Sequence, residues 1–518
     1  MSPQLRLAYR WILALLLAAC HALAAAGPVD ARLLTPRLYA ADAQPIPSWL
    51  ADGGQRARLA LHLLGDAPAH GLDPVRYDAD GLARRLAALA DDVDALAFER
   101  DLSTAMLQYL SDLHDGRVAS GYRLPGDTAR PFDPVEYLRR ALADGRLAQA
   151  VDAAAPPVPV YCRVQATLAR YRALAAAHPD WPALPPLPGT HATPGTRYAG
   201  AALLRERLVL LGDLEAGAPA GDGDMVTPEL AAAVRRFQAR HGLTEDGIPG
   251  AATMAALAVP PVRRVTQLEL TLERLRWLPR APAGRVVVVD VPAYRLWAFD
   301  GRDAAGPLLE MRVIVGTAAR TPTPLFIGQM RYLEFNPYWN VPRSIETNEI
   351  LPKLARDPGY LARNDMELVS ASGQVLDAGP AAIGALRAGA ARVRQRPGPT
   401  NALGAVKFAM PNPMNIYLHS TPAQDLFDRA RRDLSHGCIR VEQPAALAQF
   451  VLAAPERWDA EAVAAAMRPG RTLTVPLPQA VPVVLFYATA LTDRQGRALF
   501  SEDIYGLDEK LLQALRAD

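Results

Sequence analysis

Apolar residues between about Pro45 and His178 recur at intervals of three and four, as in Leu82 to Ala97 and Leu102 to Leu113, with Gly and Pro between the runs. That spacing puts an apolar stripe along one side of a helix and predicts a helical scaffold domain over 45–190. Its Pro-rich stretches, 155–160 and 179–195, read as linkers or surface loops. A second helical pattern occupies 198–260. Leu203, Leu204, Leu208 and Leu211 mark one helix, and Thr227-Pro228-Glu229 has the form of a capped helix start. Leu230, Val234 and Phe237 line the helix that follows, which ends at His241-Gly242. After turns at Asp246-Gly247 and Pro249-Gly250, a third short helix runs through Leu257, so a small three-helix bundle is expected.

Near Arg285 the period changes to two. Val286 to Val291 and Tyr294 to Phe299 predict strands, with a hairpin turn at Asp300-Gly301 before Leu308 to Val315. Further strands are expected at 330–335, 405–410 and 415–418. A mixed segment, 345–400, interrupts them and reads as an insertion covering the sheet like a lid. The mainly-β domain is placed at 283–478. A C-terminal extension, 479–518, adds a strand pair around Asp493 to Gly496 and a helix. The expected fold class is therefore α+β multidomain.

Composition narrows the class. Half of the 518 residues are hydrophobic and 21% are charged, enough apolar material for several packed cores. The 56 basic and 54 acidic residues nearly cancel and form no basic run, which excludes a nucleic-acid binder. Three cysteines exclude a disulfide scaffold and a zinc site of four thiolates. At the N-terminus, Arg6 and Arg10 precede the apolar run Trp11 to Ala19 and the small residues from Ala22 to Gly27. This order predicts a signal peptide over 1–26, too short to span a bilayer, and hence export to the periplasm. Leu17-Ala18-Ala19-Cys20 also resembles a lipoprotein processing site, so membrane anchoring through a lipidated Cys20 stays open. Either route leaves Cys162 and Cys438 as the thiols, and a bridge between them is one reading.

The chemistry concentrates in Tyr417-Leu418-His419-Ser420 and Ser435-His436-Gly437-Cys438-Ile439-Arg440. A cysteine becomes a strong nucleophile when a neighbouring His or cation favours its thiolate, and two His and one Arg surround Cys438. Gly437 lets the backbone approach closely, so the amides of residues 437 and 438 could face a developing oxyanion. A zinc site from His419, His436 and Cys438 would lack a fourth ligand, and an inert buried cysteine is the other alternative.

Two resemblances bear on this. Phe237, Gln238, His241-Gly242-Leu243, Asp246-Gly247, Gly250, Thr253 and Leu257 resemble the peptidoglycan-binding domain family. Ser-His-Gly-Cys-Ile-Arg, with Tyr-Leu-His placing His419 nineteen residues before Cys438, resembles the catalytic signature of the L,D-transpeptidase (YkuD-type) family. Thr321-Pro322-Thr323-Pro324 and Asn336-Pro337-Tyr338-Trp339-Asn340-Val341-Pro342 resemble its supporting motifs. Leu351-Pro352-Lys353, Asp357-Pro358-Gly359-Tyr360 and Asn401-Ala402-Leu403-Gly404 resemble its long, YcbB-like branch, which joins a scaffold, a peptidoglycan-binding module and a capped catalytic domain.

The resemblance implies that Cys438 is the nucleophile and His419 its base, with His436 orienting the loop. It implies an oxyanion hole from the amides of Gly437 and Cys438, with Tyr417 as a further donor. Tyr417, Ser435, Arg440 and Trp339 are the implied substrate contacts; Arg440 either holds a carboxylate or fixes the loop. Cys438 would displace D-Ala from a tetrapeptide stem, forming a thioester that the side-chain amine of a second stem's diamino acid resolves. Neither metal nor other cofactor is implied, and carbapenems would acylate the same cysteine. The implied partners are peptidoglycan stem peptides, with cell-wall synthesis enzymes as further candidates. Water or a protein lysine as acceptor, or a non-catalytic wall-binding scaffold, are the alternative readings.

Overall fold

The computed structural model describes residues 30–40, 46–118, 132–217, 223–278, 284–301 and 309–517, so the expected signal peptide and Cys20 lie outside the described residues. The chain divides into two compact units, residues 1–281 with 488–518 and residues 282–487.

The first unit is helical. The run expected over Leu82–Ala97 is in fact two helices, Ala79–Ala87 and Asp92–Asp115, because Asp91 accepts a hydrogen bond from the Asp94 amide and caps a new start. The longer helix buries Phe98, Leu102, Met106, Leu110 and Leu113 in a cluster with Trp49, Leu64 and Leu138. Farther along, Ala201–Leu211, Pro228–Arg240 and Ala251–Ala258 are three short helices. Gln238, on the second, ties it to the third and to the turn that connects the two. Its Nε2 donates to Asp246 Oδ1 (2.8 Å), the Ile248 carbonyl (3.1 Å) and Thr253 Oγ1 (3.1 Å), while its Oε1 accepts from the Gly247 amide (2.7 Å). These motif residues therefore build the module, because a buried amide must find partners for both its ends. Helix Pro261–Leu275 packs on Pro159–Ala177. The chain end returns to this unit. Leu511, on helix Leu507–Ala517, joins Val118, Leu270 and Trp277, and Arg117 donates to the Leu515 carbonyl at 2.9 Å. Among the described residues, no helix is long and apolar enough to cross a membrane.

Among its described residues the second unit has thirteen strands: β1 (Arg285–Asp290), β2 (Arg295–Asp300), β3 (Leu309–Gly316), β4 (Ile327–Phe335), β5 (Trp339–Asn340), β6 (Met366–Ser370), β7 (Val375–Leu376), β8 (Ala391–Gln395), β9 (Val406–Ala409), β10 (Leu418–His419), β11 (Asp433–Ser435), β12 (Ile439–Val441) and β13 (Leu473–Phe486). The large sheet runs β11-β3-β12-β10-β9-β4-β13-β1-β2, and β2 also pairs with β3, so the sheet closes on itself like a barrel. Closure through β2 and β3 leaves only the short β11 outside the ring, so little open edge remains at which the sheet could pair with another chain. The register partners Leu333, Phe408, Leu418 and Ile439 are fully buried on one face.

Two strand expectations change. Residues 415–417 belong to a loop in which Asn415 takes a φ of +53°, outside the extended region, so only Leu418–His419 pairs there. Strand β13 runs unbroken across 478, the expected domain end, with an irregularity between Pro476 and Val481, where proline withholds an amide from the ladder. The insertion has its own sheet, β5-β8-β6-β7, and its own core of Leu354, Leu361, Leu368, Leu386 and Val393. That sheet takes its first strand from Trp339–Asn340, ahead of residue 345.

Candidate functional site

Strands β10 and β12 run parallel with Leu418 opposite Ile439 and His419 opposite Arg440, and the Ile439 amide donates to the Tyr417 carbonyl at 3.1 Å. Side chains alternate along a strand, so with Leu418 and Ile439 in the core, Tyr417, His419, Cys438 and Arg440 share the opposite face. On β9, Lys407 pairs with His419 in register, and Glu334 on β4 pairs with Lys407, extending the row across four strands.

The loop 435–438 is held from below by the Thr-Pro-Thr-Pro segment. Thr321 Oγ1 donates to the Ser435 carbonyl (3.1 Å), and Thr323 Oγ1 donates to the Gly437 carbonyl (2.8 Å) while accepting from the Gly316 amide (2.8 Å). Gly316 is required by proximity: a Cβ there would lie 2.0 Å from the Thr321 carbonyl oxygen and 2.9 Å from Gly437 Cα. Gly437 itself has φ +107°, in the region that favours glycine.

Ser435 and Gly437 differ from expectation. Ser435 is buried; its Oγ donates to the Cys438 carbonyl (2.5 Å) and accepts from the Gly437 amide (3.1 Å). The Gly437 amide, expected to face an oxyanion, is thus engaged within the loop, as is the Ser435 hydroxyl.

The Cys438 sulfur lies 3.6 Å from the Asn415 carbonyl oxygen, to which its S–H donates. Burial pushes the thiol above its ordinary range, opposed by the neighbouring Tyr417 amide and hydroxyl and by the charges of Lys407 and Arg440. Asn412 organises the loop that presents Asn415: its Nδ2 donates to the Met410 and Ile416 carbonyls, and its Oδ1 accepts from the Met414 and Ile416 amides.

His419 is buried, and its Nδ1 lies 2.6 Å from the Ser420 carbonyl oxygen. A carbonyl only accepts, so Nδ1 carries the proton and Nε2 keeps its lone pair. Burial, then the Arg440 charge, pulls this histidine down to about 3. It is therefore a neutral base, with its ring 5.8 Å from that of Tyr417. Arg440 is half-buried, and its Nε is buried with no hydrogen-bond partner among the described residues. Burial lowers Arg440 while the Cys438 sulfur raises it.

His436 turns away from this row. Its Nε2 is 2.6 Å from Oε1 of Glu349, which lies in the π-helical turn Glu346–Ile350 of the insertion. Trp339, on β5, stands beside Tyr417 and opposes the upward push that burial exerts on its hydroxyl. Among the described residues no group of three His, Cys, Asp or Glu could hold a metal ion, so His419, His436 and Cys438 are not a ligand set. Cys162 and Cys438 are both free thiols. Sequence reasoning missed Lys407, Glu334, Asn412, Asn415 and Glu349. The lone Lys407 between buried Val406 and Phe408 was the available signal, but only strand register reveals what it faces.

Comparison with known proteins bears on this arrangement. Residues 284–475 match the family model of the L,D-transpeptidase catalytic domain (YkuD), residues 34–168 that of a "Scaffold domain", and residues 199–257 that of a "Putative peptidoglycan binding domain". A curated Haemophilus influenzae protein named "Putative L,D-transpeptidase" is 35% identical over 251 residues, covering 48% of this chain and 49% of that protein. The chain thus spans about half the length of this curated relative. Crystal structures of L,D-transpeptidases from Stackebrandtia nassauensis and Xylanimonas cellulosilytica align over 57% and 58% of this chain and 97% and 100% of theirs. Their identities are 15% and 17%, with TM-scores of 0.25 and 0.18. The assignment rests on the family models and the curated relative: the barrel-bearing part of this chain belongs to the YkuD L,D-transpeptidase catalytic-domain family, in a chain that also carries a peptidoglycan-binding domain.

Proposed function

We propose that the protein cross-links peptidoglycan by L,D-transpeptidation through a Cys438 thioester. The observation that carries this reading is one sheet face bearing a thiol, a neutral histidine with a free Nε2 lone pair and a guanidinium with an unpartnered Nε. His419 Nε2 takes the thiol proton as Cys438 Sγ bonds to the carbonyl carbon of the third stem residue. The negative charge on that oxygen is met by the Cys438 amide and the Tyr417 hydroxyl. The C–N bond to D-Ala then breaks, the departing amine takes the proton from His419, and a thioester remains. The side-chain amine of a second stem attacks the thioester carbon and loses its proton to His419; the C–S bond breaks, and the leaving Cys438 sulfur takes that proton back as the thiol. The broken peptide bond supplies the energy.

Arg440 holds the carboxylate of the leaving D-Ala, since an Arg two residues along the strand from Cys438 is at the distance of the next peptide unit. The family match of residues 199–257 supports peptidoglycan as the polymer engaged. The leader-like order of residues 6–27 supports action outside the cytoplasm, in the periplasm.

Mass spectrometry of wild type and Cys438→Ala with a disaccharide-tetrapeptide tests this. A dimer lighter than two substrates by one D-Ala, absent from the variant, is expected. Tripeptide without dimer would point to water as acceptor. Equal cross-linking by Cys438→Ala would overturn the reading.

A further inference from the structure

The basic residues of this chain are almost all arginine; lysine occurs only at 353, 407 and 510. One of the three stands in the catalytic row. Lys407 is the register partner of His419 and donates to Glu334 Oε2 at 2.7 Å, with both side chains about four-fifths buried. The same ammonium lies 4.9 Å from the centroid of the Tyr417 ring, where a cation is attracted by the negative face of the aromatic system. Tyr417 in turn stands beside the Cys438 sulfur, each acting on the other's charge, and Trp339 stands beside Tyr417. A continuous path therefore runs from Glu334 through Lys407 and Tyr417 to the nucleophile.

A compact ammonium fits this place better than a guanidinium. It sits against a ring face and meets a single carboxylate oxygen, whereas Arg prefers a planar, two-point partner. Without Glu334 the ammonium would be partly desolvated and unpaired; without Lys407 the carboxylate would stand unneutralised near the sulfur that must become negative.

We propose that Lys407, anchored by Glu334, is a positioning residue of the acylation site: it fixes the Tyr417 ring and so sets the aim and charge of the Cys438 sulfur. This rests on the reading of Cys438 as the nucleophile. The other charged or titratable groups around the sulfur are Tyr417 in the loop before β10, His419 on β10 and Arg440 on β12, with His436 and its partner Glu349 beside the loop. None of them is altered in the variants below.

The test is the rate of Cys438 alkylation by iodoacetamide against pH, read by peptide mass spectrometry on the full chain. The thiolate displaces iodide and the thiol proton goes to solvent. The exposed Cys162 is the internal control. Lys407→Met should move the midpoint upward by about one unit and slow alkylation at pH 7 about tenfold, while Lys407→Arg, which keeps the charge, restores the midpoint. Glu334→Gln should move it downward, because the ammonium is then unopposed. The opposite signs separate an electrostatic path from loosened packing, which would shift both variants the same way. An unchanged midpoint in folded Lys407→Met, or in Glu334→Gln should the first variant not fold, overturns the proposal. D-Ala release by the wild type is measured alongside. Its absence with the shifts intact would defeat the transpeptidase reading and leave this one standing.

Discussion

His436 Nε2 and Glu349 Oε1 lie 2.6 Å apart, a contact that joins the Cys438 loop to the insertion eighty-seven residues earlier in the chain. The partner of this histidine is an acid that no local pattern announces. The pair is roughly half-exposed, with side-chain exposures of 49% and 39%, so its worth is modest, about 0.2–1 kcal/mol. Glu349→Ala should therefore slow acylation of Cys438 by meropenem only a few-fold, while raising hydrogen exchange across 346–356. Unaltered exchange there would mean that the contact does not tether the insertion.

Thr323 bears more weight, because one buried hydroxyl serves both Gly316 and Gly437. Thr323→Val keeps the shape and removes both bonds, leaving two buried backbone groups short of a partner. A loss of about 1–3 kcal/mol in the catalytic unit is expected by chemical denaturation. Thr323→Ser, which keeps the hydroxyl, should recover most of it.

Asn412 makes four hydrogen bonds to the loop that carries the Asn415 carbonyl. Asn412→Ala should release this loop and slow acylation about tenfold or more, because the sulfur loses a fixed neighbour. Near-wild-type acylation with a loosened loop would show that the Asn415 carbonyl does not govern the resting thiol.

Histidines set an acid limit on stability. Burial and Arg440 pull His419 down to about 3, and burial likewise lowers His241 well below its ordinary value. The folded chain therefore binds fewer protons than the unfolded chain below the ordinary histidine value, about 6.5. Their contribution is complete above that pH and falls away as pH drops toward 3. Melting temperatures should decline between pH 6.5 and 4, and the His419 ring should show no titration by NMR between pH 8 and 5. A ring titrating near 6.5 would contradict the buried, neutral base.

Cys438→Ala should leave folding intact, since the sulfur's contact with the Asn415 carbonyl is a long, weak thiol bond. A melting temperature within about 2 °C of wild type is expected. A much larger drop would make the cysteine structural.

Much of this protein was legible in local patterns. The three-and-four spacing of apolar residues, the capped start at Thr227 and the change to period two near Arg285 mark helices and strands, because they reflect burial within a single element. The Ser-His-Gly-Cys-Ile-Arg motif and its upstream histidine point to the site for the same reason: each short segment carries its own chemistry. What local pattern leaves undetermined is who stands opposite whom. A strand's alternation says which face is buried but not which strand lies beside it. The row Glu334, Lys407, His419 and Arg440 therefore exists only once β4, β9, β10 and β12 have paired in one register. The engaged Gly437 amide, the Glu349 partner of His436 and the return of the last thirty residues to the helical unit are decisions of the same kind. Each depends on contacts between segments far apart in the chain, which packing selects and sequence proximity does not encode.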